Sequence, residues 1–86
     1  MLRLMIVDDE QIIREALSSM IDYTSLGYEV IATAKNGMEA YDRIRDDYPD
    51  VVITDIKMPI LNGLELIERA SRIDSRITFI LLSGYG

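Results

Sequence analysis

Short apolar runs and amphipathic stretches alternate along this chain. Leu4-Met-Ile-Val7 has no polar position, which fits a strand buried on both faces. Asp8-Asp9-Glu10 closes that run. Ile12, Ile13, Ala16, Leu17, Met20 and Ile21 then recur at helical spacing and make one wide apolar stripe, predicting a helix over Gln11 to Asp22. Thr24-Ser25-Leu26-Gly27 reads as a turn. Tyr28 to Thr33 is rich in β-formers and partly alternating, which predicts a second strand at an edge. Lys35-Asn36-Gly37 is turn chemistry, and Met38, Tyr41, Ile44 and Tyr48 mark a second helix that Pro49 stops. Val51-Val-Ile-Thr54 is apolar or β-branched and runs straight into Asp55, a third strand that presents a carboxylate at its tip. Pro59 and Gly63 shape the loop that follows. Asn62-Gly63 opens a third helix, with Leu64, Ile67 and Ala70 expected toward the core and Leu66 and Ile73 beside them. Ile77 to Leu82 reads as a fourth strand, and residues 83–86 as a loop.

The order is β-α-β-α-β-α-β. Strands alternating with helices of this length imply a parallel sheet with right-handed crossovers. The expected fold class is α/β, a doubly wound parallel sheet with strand order 2-1-3-4. In such a sheet the winding reverses between strands 1 and 3, and ligands bind beyond the carboxyl ends there.

Composition narrows the chemistry. Eighty-six residues make one domain at most. The chain has no cysteine and no histidine, which excludes disulfides, thiolate metal sites, histidine triads and most zinc sites. The net charge of −6 argues against direct nucleic-acid binding by this segment, and suits a cation site or a basic partner as well as plain solubility. The apolar run at Leu4 to Val7 is too short for a signal or membrane segment, so no membrane association and a cytoplasmic location are expected.

Asp8 and Asp9 follow strand 1 and Asp55 follows strand 3. The predicted topology therefore brings three carboxylates to one rim, on strands about 4.8 Å apart. Like charges that close raise one another's pKa, and a bound cation removes the conflict. All-oxygen ligands point to a hard ion, Mg²⁺ first. An aspartate beside Mg²⁺ can attack a phosphoryl group to give an acyl phosphate. Strand 4 beside strand 3 puts Ser83 at the same rim, where its hydroxyl can donate to a phosphoryl oxygen. Simpler readings exist. Asp8, Asp9 and Glu10 would serve as caps and dipole partners of a helix. Asp55 would serve as a turn residue, and Ser83 as a strand-end serine.

Ile6-Val-Asp-Asp-Glu10, Ala34-Lys-Asn-Gly-Met-Glu-Ala40, Pro49 to Pro59 with Asn62-Gly63, and Leu82-Ser-Gly84 span nearly the whole chain. In that order they resemble the receiver domain of bacterial two-component response regulators, a flavodoxin-like fold. The resemblance implies that Asp55 is the phosphoacceptor and that a sensor histidine kinase supplies the phosphoryl group from a phosphohistidine. It implies that Asp8 and Asp9 hold Mg²⁺ with Asp55 and the Lys57 backbone carbonyl, and that Ser83 is the switch hydroxyl. The wording around Ser83-Gly-Tyr85 is similar to receivers joined to AraC-type DNA-binding domains, so such an effector domain is expected in the full-length protein. Against the family pattern, the fifth strand with its lysine and the last two helices are absent from this sequence. A second expectation follows: a truncated, phosphotransfer-incompetent unit that self-associates through the edge of strand 4 or by exchanging elements. A metal-dependent phosphohydrolase ranks below both, because no further acid–base residue stands out after Asp55. No enzymatic turnover is expected beyond self-phosphorylation and slow self-dephosphorylation.

Overall fold

A computed structural model describes residues 1–82. The elements are β1 (Leu2–Val7), α1 (Gln11–Ser19), β2 (Tyr28–Ala34), α2 (Gly37–Asp47), β3 (Val51–Asp55), α3 (Gly63–Ile73) and β4 (Thr78–Leu82), with a short 3-10 turn at Thr24–Leu26. The four strands form one parallel sheet in the order β2-β1-β3-β4, as the alternation of elements requires. A bulge between Leu4 and Met5 shifts the β1–β2 register, which is why β2 alternates only in part.

Period-two alternation sends neighbouring residues of β1 to opposite faces. Met5 and Val7 join Val52, Ala32 and Ala34 in one core, closed by Ala40 and Ile44 of α2 and by Leu66 and Ala70 of α3. Leu4 and Ile6 face the other way and pack with Val51 and Tyr23, flanked by Leu17. The larger core thus has two helices over it, and the smaller has α1.

Three local expectations change. In α3 the buried positions are Gly63, Leu66 and Ala70, while Leu64 is 57% exposed. The Asn62 cap sets the phase: its Oδ1 accepts from the Glu65 N–H, and Glu65 returns a bond to the Asn62 N–H. The helix thereby starts with Leu66, not Leu64, turned to the sheet. Next, α1 ends at Ser19, not Asp22. The Ser18 and Ser19 hydroxyls bond back to the Arg14 and Glu15 carbonyls, and the buried Tyr23 hydroxyl donates to the Leu17 carbonyl at 2.6 Å. The last turn is therefore drawn into a cap. The apolar stripe of α1 is also wider than the sheet it meets: Ile12 and Met20 are each 81% exposed. In α2, finally, Ala40 and Ile44 are the fully buried pair, and Tyr48 is an exposed cap with a φ of 48° ahead of Pro49.

The strands are joined at their amino-terminal ends by Asp50. Its Oδ2 accepts from the Arg3 N–H, its own N–H donates to the Arg3 carbonyl, and its carbonyl accepts from the Thr78 N–H. The Arg3 guanidinium adds bonds to the Asp47 and Tyr48 carbonyls at the end of α2. On the α1 side, a hollow of about 210 Å³ is lined by residues that include Tyr23, Val51, Ile53 and Ile80. Ile80 and Leu81 are among the exposed apolar side chains of β4.

Gly37 opens α2 against the β3–α3 loop. A Cβ there would overlap the Leu61 carbonyl oxygen and lie 2.7 Å from the Leu61 Cβ. Gly37→Ala is expected to lower the unfolding free energy by about 1–3 kcal/mol, read from urea denaturation followed by circular dichroism.

Candidate functional site at the carboxyl ends of the central strands

Parallel register carries the acids together. β1 and β3 pair from Leu4 with Val51 to Val7 with Thr54. The next residue on each strand is an aspartate, so Asp8 and Asp55 leave the sheet as neighbours. Asp9 follows, and one carboxylate oxygen from each of Asp8, Asp9 and Asp55 lies within 4.8 Å of the other two. Asp8 is 3% exposed, Asp55 is half-buried and Asp9 is exposed.

Backbone bonds fix Asp8 at three points. Its N–H donates to the Ala34 carbonyl at 3.1 Å, its carbonyl accepts from the Arg14 guanidinium at 2.8 Å, and its Oδ1 accepts from the Glu10 N–H at 2.9 Å. The Arg14 bond locks the peptide between Asp8 and Asp9, and so sets where the Asp9 carboxylate projects. Arg14 was not singled out in the sequence. The readable signal was a lone cation in the first turns of a helix that follows three acids.

The capping alternative for these acids is largely removed. Glu10 is the cap residue of α1, but its side chain makes no cap bond, and no acidic residue lies in the first turn. Only the Asp8 bond to the Glu10 N–H resembles a helix-start contact.

Asp55 is held by the loop behind it. Leu82 pairs with Asp55 across β3 and β4, and the Ile56 N–H donates to the Leu82 carbonyl at 3.3 Å. The Lys57 N–H reaches Asp55 Oδ1 at 3.3 Å. The Gly63 N–H donates to the Ile56 carbonyl at 2.8 Å and closes the loop. A Cβ on Gly63 would sit 2.5 Å from the Asp55 carbonyl oxygen, so only glycine allows that closure. Met58 and Leu61 are buried in the larger core and pin the loop from within. The only sign of these two anchors in the residue order is an apolar residue on either side of Pro59-Ile60. Ser83 lies outside the described residues.

The donor set suits a hard divalent ion. An octahedral shell with bonds of about 2.1 Å places neighbouring oxygens about 3 Å apart and opposite ones about 4.2 Å apart. Oxygens within 4.8 Å of one another need only small side-chain rotations to reach that shell. The electrostatics point the same way. Burial raises the Asp8 carboxyl above its usual range. The Glu10 N–H bond opposes this, while the charges of Asp55, Asp9 and Glu10 add to the rise.

A doubly wound sheet with an acidic cluster at its switch point is the class that fold and site define. The chain belongs to the response regulator receiver domain family, which it matches over residues 4–86. It is a response regulator receiver domain of the kind used in two-component signalling. It is 44% identical to the uncharacterized transcriptional regulatory protein YesN of Bacillus subtilis over 86 residues, which cover all of this chain and 23% of YesN. It is 41% identical to the transcriptional regulatory protein HptR of Staphylococcus aureus over 85 residues, 99% of this chain and 33% of HptR. The chain thus spans about a quarter to a third of these curated relatives. Among solved structures, the REC domain of the response regulator AraT from Geobacillus stearothermophilus superposes with a TM-score of 0.92 at 36% identity, covering 98% of this chain and 65% of that one. The CheX-CheY-BeF3-Mg²⁺ complex from Borrelia burgdorferi gives 0.86 at 30% identity, covering 99% and 63%. Among the described residues, no helix is long and apolar enough to cross a membrane.

The raised Asp8 pKa has a definite sign in stability. A carboxyl whose pKa is higher folded than unfolded favours the fold at low pH, and that contribution is lost as pH rises through the raised value. At neutral pH, ionised Asp8 works against the fold until a cation compensates. Asp8→Asn is therefore expected to raise the melting temperature at neutral pH in EDTA, by roughly 4–8 °C for each kcal/mol recovered. Added Mg²⁺ should raise the melting temperature of the wild type more than that of the variant. A lower melting temperature for Asp8→Asn in EDTA would show that the chain itself already balances this charge.

Proposed function

We propose that this domain accepts a phosphoryl group on Asp55 in a Mg²⁺-dependent reaction, and that a sensor histidine kinase is the physiological donor. The observation that carries the reading is the meeting of Asp8, Asp9 and Asp55 oxygens at the end of β1 and β3. The presence of BeF3 and Mg²⁺ in the complex of the Borrelia burgdorferi relative supports it.

An Asp55 oxygen attacks the phosphorus of a phosphohistidine. The P–N bond breaks, its electron pair stays on the imidazole, and an acyl phosphate remains on Asp55. Asp8, Asp9, Asp55 and the Lys57 carbonyl would hold Mg²⁺, which would supply charge screening for the phosphoryl oxygens. The chain's own part is to aim the acceptor. The closed loop and the Lys57 N–H limit the rotation of Asp55, and the Arg14 bond fixes the turn that carries Asp8 and Asp9. Ser83 is the hydroxyl assigned to the phosphoryl group, and the output is transcription regulation through a DNA-binding domain elsewhere in the full-length protein. The structural, phosphotransfer-incompetent alternative finds no support in the comparisons.

The test uses the full-length natural protein with acetyl phosphate and Mg²⁺. Intact-mass spectrometry should show one added phosphoryl group, which does not form when EDTA replaces Mg²⁺ and is absent from Asp55→Asn. Peptide mapping should place it on Asp55. A phosphoryl group that persists in Asp55→Asn would overturn the assignment.

A further inference from the structure

Ile60 stands in the loop that follows Asp55. Its φ is 73°, and the Leu61 N–H donates to the Pro59 carbonyl at 2.8 Å. A bond over two residues across a positive φ is the γ-turn of the rarer, strained hand. Glycine and asparagine take positive φ readily, whereas a β-branched residue there is an outlier. Ile60 is 77% exposed, so its side chain recovers little of that cost by burial. The anchoring is done on either side, by Met58 at 8% exposure and Leu61 at 2%. The backbone needs this turn, but among the described residues Ile60 belongs to neither core cluster.

The position of Ile60 says what meets it. Gly63 abuts the Asp55 carbonyl and closes the loop. Ile60 is three residues from Gly63, so their Cα atoms are at most about 11 Å apart. A standard protein interface covers about 800 Å² on each partner, a disc of about 16 Å radius. Ile60 therefore lies within reach of a protein that delivers a phosphoryl group to Asp55, whereas a small acyl phosphate does not extend that far. Asp9 gathers with Asp8 and Asp55 at the end of β1 and β3, and Asp9 and Glu10 are exposed. An apolar side chain on the loop behind Asp55 gives a partner something other than charge to read.

We propose that Ile60 is a partner-reading residue, held out by the strained turn to meet an apolar patch beside the phosphohistidine of the donor protein. This rests on the phosphoacceptor reading of Asp55.

The test compares full-length wild type, Ile60→Gly, Ile60→Asn and Ile60→Val with two donors. One donor is acetyl phosphate with Mg²⁺. The other is the autophosphorylated cytoplasmic part of whichever host sensor histidine kinase transfers fastest to the wild type. Ile60→Gly and Ile60→Asn should melt at higher temperature than wild type, because the strain is relieved. Both should lose roughly five- to tenfold in kcat/KM with the kinase, mainly through KM, and stay within about twofold of wild type with acetyl phosphate. Ile60→Val should keep most of the kinase rate. Equal losses with both donors would assign Ile60 to loop geometry and overturn the proposal, and so would an unchanged kinase rate. A wild type that takes phosphate from acetyl phosphate but from no kinase also overturns it. A wild type labelled by neither donor defeats the phosphoacceptor reading itself, and this inference with it.

Discussion

Three carboxylates at one rim, with Asp8 buried among them, are the constraint around which this site is arranged. Bringing one oxygen of each of Asp8, Asp9 and Asp55 within 4.8 Å of the others opposes the fold unless something holds them there. The restraint comes from the backbone. The parallel register between β1 and β3 sends Asp8 and Asp55 out together. Asp8 is then tied by its N–H, its carbonyl and its Oδ1. The loop after Asp55 is closed by Gly63 and anchored by two buried apolar residues. These restraints are all made by the chain itself.

The loop from Ile56 to Asn62 has three tasks at once. It closes behind Asp55, it contributes Met58 and Leu61 to the larger core, and it ends in the capping residue of α3. Gly37 and Gly63 are the two points where a side chain would collide with this arrangement. Core packing and the position of the Asp55 carboxylate therefore depend on the same short segment.

Much of this was legible from residue order. The element sequence fixes a doubly wound sheet, and the sheet alone brings Asp8 and Asp55 to one place. The α3 face was misjudged because periodicity gives spacing but not phase. The phase is set by the reciprocal bonds of Asn62 and Glu65, and it selects Leu66 over Leu64. The end of α1 was misjudged because apolar spacing continues to Ile21, whereas serine back-bonding and the Tyr23 hydroxyl end the helix at Ser19. Arg14 escaped notice because its partner is a backbone carbonyl, and no pattern of side chains encodes such a bond. The positive φ of Ile60 was hidden for a different reason: isoleucine is among the residues least expected there.

The Asp50 junction gives the sheet two mechanically unequal ends. Beneath the helices, three strands meet at one aspartate through a reciprocal pair of bonds with Arg3 and a third from Thr78. Arg3 extends the clasp to the last turn of α2. That end is a heel, where one side chain ties neighbouring strands beyond the ladder itself. The acids sit at the far tips of the same strands, so the spread of β1 and β3 set at the heel carries along the ladder to the acidic rim.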